Sequence, residues 1–266
     1  MKKVILSVAF MLAAGATFAQ TNKSDVYQTG TSQNALVSQQ GANNTSNVDQ
    51  GTQPTIAAGS YSNYTNVAQV GQNNSAMVSQ NNQNNQAFQT QNGAMNSASI
   101  WQDQSIGSNV NGSDYARQTQ SQNHNVAVID QGTSGNALPV NPFSISQQNI
   151  AGMVTVPYLP HGGNSATQNQ SGDYGKAYAS QGGQSNSSTQ TQVGNGAWAG
   201  GENVSNHFQY GSSNNATSYQ NGAALQNNTL QIGTANAANV TQWGNAHESI
   251  TMQNGTSNNA VVNQNN

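Results

Sequence analysis

The chain has 266 residues, of which 5% are charged and 6% aromatic, and it contains 35 Gln, 42 Asn and no Cys. A globular enzyme of this length is normally about a quarter charged and close to half apolar, so a conventional aliphatic core is excluded. The formal net charge is −3 with only five basic residues, which leaves no basic patch and argues against nucleic acid as a partner.

The first predicted element is a secretory signal peptide over residues 1–19. Two lysines precede an apolar run at residues 4–14, and small residues lead to an expected cleavage between Ala19 and Gln20. The apolar run is too short for a helix that spans a bilayer, so membrane insertion is not expected. Loss of the two lysines takes the formal net charge from −3 to −5. Without cysteine the exported chain has no disulfides, so another interaction must stabilise it.

Glutamine recurs every eleven residues through the rest of the chain, in four runs and one shorter pair. After Gln209, five further glutamines follow at this spacing, which has a chance probability of roughly 4 × 10⁻⁵ for each start and period tried. The other runs share the period, which indicates an internal repeat. The repeat glutamines are Gln28, Gln39, Gln50, Gln69, Gln80, Gln91, Gln102, Gln120, Gln131, Gln170, Gln181, Gln192, Gln209, Gln220, Gln231, Gln242, Gln253 and Gln264.

Most repeats also have an asparagine six residues before the glutamine and a glycine two residues after it. Small or apolar residues lie two and four places after the asparagine, as in residues 125–131 (NVAVIDQ), and this period of two predicts a strand of about seven residues. The glycine predicts a tight turn, since glycine adopts positive φ at no steric cost. The asparagines are Asn44, Asn74, Asn85, Asn96, Asn125, Asn186, Asn214, Asn236 and Asn258, and the turn glycines are Gly30, Gly41, Gly71, Gly93, Gly183, Gly211, Gly233 and Gly255.

We therefore predict an all-β fold: a parallel β-solenoid of about 19 short strands in two facing sheets, or about 9–10 rungs. The strands are expected to end at the repeat glutamines and at Gln147. Equivalent strands would stack about 4.8 Å apart in a cross-β arrangement, with identical side chains in register. A lone buried amide costs a few kcal/mol, whereas stacked amides satisfy one another in a ladder. Small inward residues such as Ala76 and Ser188 would let the two sheets approach closely.

Residues 20–266 are predicted to form a single domain of this kind, interrupted by insertions. All five prolines lie where the glutamine spacing departs from eleven, as expected for a residue that cannot donate to a strand ladder. The prolines are Pro54, Pro139, Pro142, Pro157 and Pro160. The predicted insertions lie near residues 51–62, 103–113, 137–146, 148–163 and 195–202.

The repeat resembles curlin, the repeat family of bacterial curli amyloid fibres. The family repeat is commonly written S-x5-Q-x4-N-x5-Q, and residues 39–50, 69–80 and 231–242 fit its second half. The family's Ser position is usually Asn here, so the repeat is closer to eleven residues than to twenty-two. The resemblance covers most of residues 22–264. It implies export through an outer-membrane pore of a diderm bacterium, other curli subunits as partners, and extracellular fibres of the biofilm matrix or cell surface.

No catalytic or metal site is predicted, and we expect a protein without enzymatic activity or cofactor. The four histidines lack paired metal-ligand spacing, and His207 and His247 fall on repeat positions that favour a structural role. The eight acidic residues form no obvious catalytic pair. Outward aromatic residues could bind sugars or dyes, but scattered surface positions or lateral fibre contacts are the favoured interpretation. They are Trp101, Tyr115, Tyr178, Tyr219 and Trp243.

The predicted function is that of an exported structural subunit that polymerises head to tail. The first predicted strand starts at Asn22 and the last ends at Gln264, so no terminal cap is expected at either end. Open strand edges then favour a non-closing contact between copies, which yields filaments. The alternatives are a minor or nucleating fibre subunit, a disordered Gln/Asn-rich chain, and a monomeric ligand-binding solenoid.

Overall fold

The computed structural model describes residues 21–51, 62–102, 112–132, 162–194 and 201–266, which contain 18 β-strands and no helix. Each strand ends at its repeat glutamine or within three residues after it. The strands are β1 (Lys23–Gln28), β2 (Asn34–Ala42), β3 (Thr45–Gln50), β4 (Tyr64–Gln72), β5 (Ser75–Gln80), β6 (Gln86–Ala94), β7 (Ser97–Gln102), β8 (Tyr115–Ser121), β9 (Val126–Gln131), β10 (Ser165–Gln170), β11 (Gly175–Gln184), β12 (Ser187–Gln192), β13 (Asn203–Ser212), β14 (Asn215–Ala223), β15 (Gln226–Thr234), β16 (Ala237–Asn245), β17 (Glu248–Thr256) and β18 (Asn259–Asn265).

The strands form two sheets of nine parallel strands each. Odd-numbered strands follow one another from β1 to β17 in the first sheet, and even-numbered strands from β2 to β18 in the second. The chain therefore alternates between the sheets, and two successive strands make one rung. This arrangement confirms the predicted parallel β-solenoid. The structure describes 18 strands where about 19 are predicted, because the strand expected to end at Gln147 lies outside the described residues.

Several other predictions also fall outside the described residues. These include the signal peptide with its cleavage between Ala19 and Gln20, all five prolines, and most of each predicted insertion. They stay predictions.

The strand register stacks each repeat glutamine on the next. In the first sheet Gln28 pairs with Gln50, and in the second sheet Gln39 pairs with Gln69. Where no insertion intervenes, paired residues are 22 positions apart, as for Lys23 and Thr45. Twenty-two residues are two eleven-residue repeats, one in each sheet. The eleven-residue period in the sequence thus arises because the chain visits both sheets once in every rung.

The core is the narrow space between the two sheets, which alternate side chains of every strand enter. Part of it is apolar: Val48, Val67, Val78, Ile100 and Ile129 are almost completely buried in one cluster. Buried alanines fill further inward positions and keep the sheets close together. The remaining inward positions carry amides and hydroxyls, so the core is largely polar.

Two residues with positive φ bend the chain at most corners. The first is the glycine two residues after the repeat glutamine, and all eight predicted turn glycines have φ between 100° and 126°. The second lies four residues after the glutamine and is not a glycine, as at Ala224, Ala235 and Ala246, with φ of 56°, 55° and 57°. A single glycine turn per repeat is therefore an incomplete prediction, because alanine at the second corner gives no turn signal in the sequence.

The corner glycines also stack backbone against backbone. A Cβ atom added at Gly211 would lie 1.9 Å from the carbonyl oxygen of Gly233, and one at Gly233 would lie 2.0 Å from that of Gly255. Gly255 belongs to the last rung of the first sheet, where an added Cβ would meet only Asn258 Nδ2, at 3.4 Å. Glycine is thus required for the approach between rungs as well as for its φ.

This difference predicts unequal effects of one substitution at two matched corners. Gly211 and Gly255 have φ of 123° and 124°, so alanine at either position should cost about 1–3 kcal/mol in backbone strain. Gly211→Ala should destabilise the chain by at least about 2 kcal/mol more, because its Cβ overlaps the next rung. Denaturant unfolding of the dilute monomer measures both effects. Equal losses for the two variants would contradict backbone stacking at these corners.

Candidate functional site

Two columns of glutamine run the length of the interior. The first glutamine ladder consists of Gln28, Gln50, Gln80, Gln102, Gln131, Gln181, Gln209, Gln231 and Gln253, and the second of Gln39, Gln69, Gln91, Gln120, Gln170, Gln192, Gln220, Gln242 and Gln264. Within each ladder, every Nε2 donates to the Oε1 of the next rung at 2.7–3.0 Å. All members except Gln28, Gln39 and Gln264 are buried.

In every ladder glutamine except Gln28, the second amide hydrogen ties one sheet to the other. Gln80, in the first sheet, donates through Nε2 to the backbone carbonyl of Tyr64 in the second sheet at 3.1 Å. Gln220, in the second sheet, donates to the carbonyl of Val204 in the first at 3.0 Å. A primary amide has two N–H donors and one acceptor oxygen. One donor therefore holds the rungs together, and the other holds the sheets together.

The asparagines form a column beside each corner. Asn44 Oδ1 accepts a hydrogen bond from the backbone N–H of Asn74 at 3.1 Å, and Asn74 Nδ2 donates to the carbonyl oxygen of Gly93 at 2.9 Å. The same bond to the next backbone N–H recurs from Asn186 to Asn214 and from Asn214 to Asn236. These amides satisfy backbone groups where the chain leaves the strand, so they stabilise the corner.

Some members of the asparagine columns are absent from the sequence-based set. Asn22, Asn63, Asn164 and Asn203 lie in these columns, and the backbone N–H of Asn164 donates to Asp114 Oδ1 at 2.7 Å. All five residues stand six positions before a repeat glutamine, so the spacing that identifies Asn44 also identifies them. Applied to every repeat, this spacing predicts all five residues from the sequence.

A third, shorter glutamine ladder lies in the second sheet, two residues before the repeat positions. Gln89 donates to Gln118, Gln118 to Gln168 and Gln168 to Gln190, through Nε2 to Oε1 at 2.8–3.0 Å. Four consecutive strands carry it, β6, β8, β10 and β12. The positions usually hold small or apolar residues elsewhere in the repeat, so only strand pairing reveals this ladder.

The ladders have a direction. Every Nε2 points toward the rung that follows in the chain, so the N-terminal end leaves acceptor oxygens and the C-terminal end leaves donor hydrogens. Among the described residues, no group donates to Oε1 of Gln28 or Gln39. At the other end, Gln253 and Gln264 each use one amide hydrogen, on the carbonyls of Ala237 and Glu248. The two ends of the solenoid are thus chemically complementary.

His207 lies in the core, as its repeat position indicates, and makes uncharged contacts. Its Nδ1 is 2.9 Å from Ser188 Oγ, and its Nε2 is 3.3 Å from Asn227 Nδ2. Because an amide nitrogen only donates, Nε2 is the acceptor and Nδ1 carries the hydrogen that bonds to Ser188. The serine therefore receives no activation as a nucleophile, and both residues are sealed from solvent. Burial lowers the pKa of His207 from 6.5 to about 3.

The remaining histidines and acids do not assemble into a metal site. No cluster of three or more His, Asp or Glu side chains capable of holding a metal occurs in the described part of the chain. His124 stacks on Tyr174 with ring centroids 4.7 Å apart, and His247 Nε2 lies 2.9 Å from the Trp243 carbonyl oxygen. His161 lies outside the described residues. Across these same ranges, no helical segment has the length and apolar character needed to traverse a bilayer.

One of the five outward aromatic residues is not at the surface. Tyr178 is only 3% exposed and packs with Phe208, Tyr210 and Leu230 on the outer side of the first sheet. The prediction that Tyr178 is a surface aromatic is therefore wrong, because outward from the core does not mean exposed on this part of the sheet. Burial raises the pKa of both Tyr178 and Tyr210. The other four are partly exposed: Trp101, Tyr115, Tyr219 and Trp243.

The comparison with protein families agrees with this geometry. The family model for the curlin associated repeat matches residues 22–51, which span β1 to β3. Residues 22–51 therefore carry a curlin associated repeat. Within the matched segment, curlin-repeat residues Gln28 and Gln50 are already hydrogen-bonded to each other, and the later rungs repeat this bond. No curated protein matches the chain significantly.

The buried histidine predicts a pH dependence of the folding stability. The unfolded state binds a proton near pH 6.5, whereas folded His207 resists protonation down to about pH 3. Its contribution is therefore intact above pH 6.5 and is lost progressively as the pH falls from 6.5 toward 3. Between pH 7.5 and 4.5 the loss should be about 2–3 kcal/mol.

Denaturant unfolding at the two pH values measures this loss, and His207→Gln should remove it. His247→Gln, which removes a histidine outside the core, is the matched control and should keep the wild-type response. If the wild type and His207→Gln lose the same stability on acidification, the histidine is not held neutral by burial.

Proposed function

We propose that this protein is an exported structural subunit that assembles head to tail into curli-like amyloid fibres of the extracellular matrix or cell surface. The curlin repeat supports a curli-like structural subunit, since that family consists of structural subunits. The direction of the glutamine ladders supports self-assembly. An end that presents amide acceptors and an end that presents amide donors fit one another, and the fit recurs after every addition.

The terminal strands of the described structure support the same proposal. β1 and β2 lie at one end of their sheets, and β17 and β18 at the other. Among the described residues, each of these four strands has one neighbouring strand, so one backbone edge of each is unpaired. An exposed edge of this kind is a template for a further strand. Since the two ends differ, their contact does not close into a dimer and yields a filament.

The proposed function requires no catalysis and no cofactor. The core groups with catalytic potential, Ser188 and His207, are buried and bonded to each other. The expected signal peptide and the curlin repeat support export, and the repeat family supports other curli subunits and an outer-membrane pore as partners. The mechanical role follows from the stack itself: each rung adds backbone and amide hydrogen bonds along the fibre axis.

The experiment is to incubate the purified chain, without its expected signal peptide, and to examine it by electron microscopy and fibre diffraction. We expect unbranched fibres with a meridional reflection at about 4.8 Å, since the strands stack along the axis. Assembly should have a concentration threshold. A chain that folds and stays monomeric at high concentration would overturn the proposal and favour a solenoid that acts alone.

A further inference from the structure

Three corners of the solenoid share an asparagine followed by a glycine, and this dipeptide is chemically unstable. The pairs among the described residues are Asn92–Gly93, Asn221–Gly222 and Asn254–Gly255. In such a pair the backbone nitrogen of the glycine can attack the side-chain carbonyl carbon of the asparagine, because glycine has no side chain to hinder the approach. Ammonia leaves, and a five-membered succinimide remains. Water then opens the ring to aspartate or to isoaspartate, in which the main chain runs through the side-chain carbon.

The attack requires the backbone to leave the strand conformation. In an extended strand the glycine nitrogen lies away from the asparagine side-chain carbon, so the new bond forms only after rotation about the asparagine backbone. All three pairs lie inside a strand, in β6, β14 and β17. The reaction rate therefore depends on how readily each corner opens. The free energy of local opening ranges from almost nothing at frayed ends to the full stability of the core.

Two of the three corners are closed by backbone on both sides. A Cβ atom added at Gly93 would lie 1.9 Å from the carbonyl oxygen of Gln122 in the following rung, and one at Gly222 would lie 1.6 Å from that of Gly244. On the preceding rung, a Cβ atom added to the stacked glycine would lie 1.8 Å from the carbonyl oxygen of Gly93 and 1.9 Å from that of Gly222. Neither glycine can turn without displacing a neighbouring rung.

The third corner is closed on one side only. Gly255 pairs with Gly233 of β15, and β17 has no further neighbouring strand among the described residues. A Cβ atom added at Gly255 would meet only Asn258 Nδ2, at 3.4 Å. Exposure of the amide does not distinguish the sites, since Asn92 and Asn254 are both exposed. The difference lies in the backbone that packs against the glycine.

We propose that Asn254 is a modification site, at which the folded single chain deamidates spontaneously while Asn92 and Asn221 are protected. Each conversion takes up one water and releases one ammonia, so it needs no enzyme, oxidant or cofactor. The product changes β17 in two ways: either form carries a new carboxylate, and isoaspartate adds one methylene to the main chain. The added methylene moves Gly255 out of register with Gly233, so this corner no longer stacks.

The consequence for assembly rests on the proposed fibre function. In a fibre, a further strand covers β17, and the Asn254 corner acquires the two-sided packing of the Asn92 and Asn221 corners. Deamidation would then proceed in the free chain and stop on incorporation. A register shift in an edge strand removes its value as a template for another strand. The free chain thus has a limited time in which it can be extended at this end.

The test is to age the folded chain below its assembly threshold at mildly alkaline pH, which favours the nucleophilic form of the glycine nitrogen. Peptide mass spectrometry measures conversion at each asparagine, and isoaspartyl methyltransferase labelling identifies the isoaspartate. We expect Asn254 to convert at least about tenfold faster than Asn92 or Asn221, because the interior corners must first open. Conversion of Asn254 no faster than that of the other two would overturn the proposal.

The denatured chain is the matched control, because the residues that follow the three pairs are similar. Alanine follows Gly93 and Gly222, and threonine follows Gly255. In denaturant the three asparagines should convert at similar rates, since no rung protects any of them. If Asn254 keeps its lead in denaturant, the local sequence sets the rate and the fold does not, which would also overturn the proposal.

The variant Asn254→Gln tests the consequence for assembly. Glutamine keeps the amide but would have to close a six-membered ring, which forms far more slowly. Each protein is assembled before and after ageing as the free chain. The wild type should lose assembly in proportion to the isoaspartate at residue 254, whereas Asn254→Gln should keep its own starting level.

Two further outcomes separate the site from the fibre function. Equal losses in the wild type and Asn254→Gln, or conversion of Asn254 in wild-type fibres as fast as in the free chain, would overturn the link to assembly. Absence of fibres from the unaged wild type would remove the proposed fibre function, and the faster conversion of Asn254 than of Asn92 in the folded chain would still hold.

Discussion

A carboxamide that is removed from water must find partners for two donors and one acceptor, and this requirement governs the whole molecule. The solenoid meets it by repetition. Each internal repeat glutamine binds the one above, the one below and a carbonyl of the facing sheet, so the residue that would be most costly to bury alone becomes the main internal contact. The same arrangement explains the composition, since a core built from amide columns needs few large aliphatic side chains. Small residues between the columns then bring the sheets close enough for the crossing hydrogen bonds.

Repetition also leaves unpaired hydrogen-bonding groups at the two ends of the solenoid. In a globular protein, buried polar networks close on themselves, whereas a column of identical hydrogen bonds leaves an acceptor at one end and a donor at the other. The backbone edges of the terminal strands show the same incompleteness. In the proposed fibre, a second copy would supply the missing partners on each side, and the new surface would be identical to the old one. The proposed polymerisation would use the same hydrogen bonds that fold the chain.

Much of this architecture could be predicted from the sequence, because the repeat glutamines recur with the period of the fold. The spacing of Gln28, Gln39 and Gln50 predicts the parallel two-sheet stack, and the glycine at position 41 predicts a corner. The corner residues with positive φ that are alanines, such as Ala235, could not be predicted, since alanine rarely adopts that conformation and the strain is overcome only by the rungs on either side.

The burial of Tyr178 could not be predicted for a different reason. Alternation along a strand reveals which sheet face a residue occupies, and it does not reveal whether that face is covered. The third ladder, which includes Gln89, depends on which strands are neighbours, and pairing becomes visible only once the rungs are aligned.

The most direct test of the central claim compares one substitution at two positions of the second glutamine ladder. Gln220 is buried, accepts from Gln192, and donates to Gln242 and to the carbonyl of Val204, whereas Gln264 ends the ladder where water can replace a lost partner. Unfolding of the dilute monomer in denaturant should show that Gln220→Leu costs about 2–5 kcal/mol, because partners on two sides are left unsatisfied, and that Gln264→Leu costs less than about 1 kcal/mol. If Gln220→Leu leaves the stability unchanged or raises it, apolar packing holds the rungs together and the amide ladders do not.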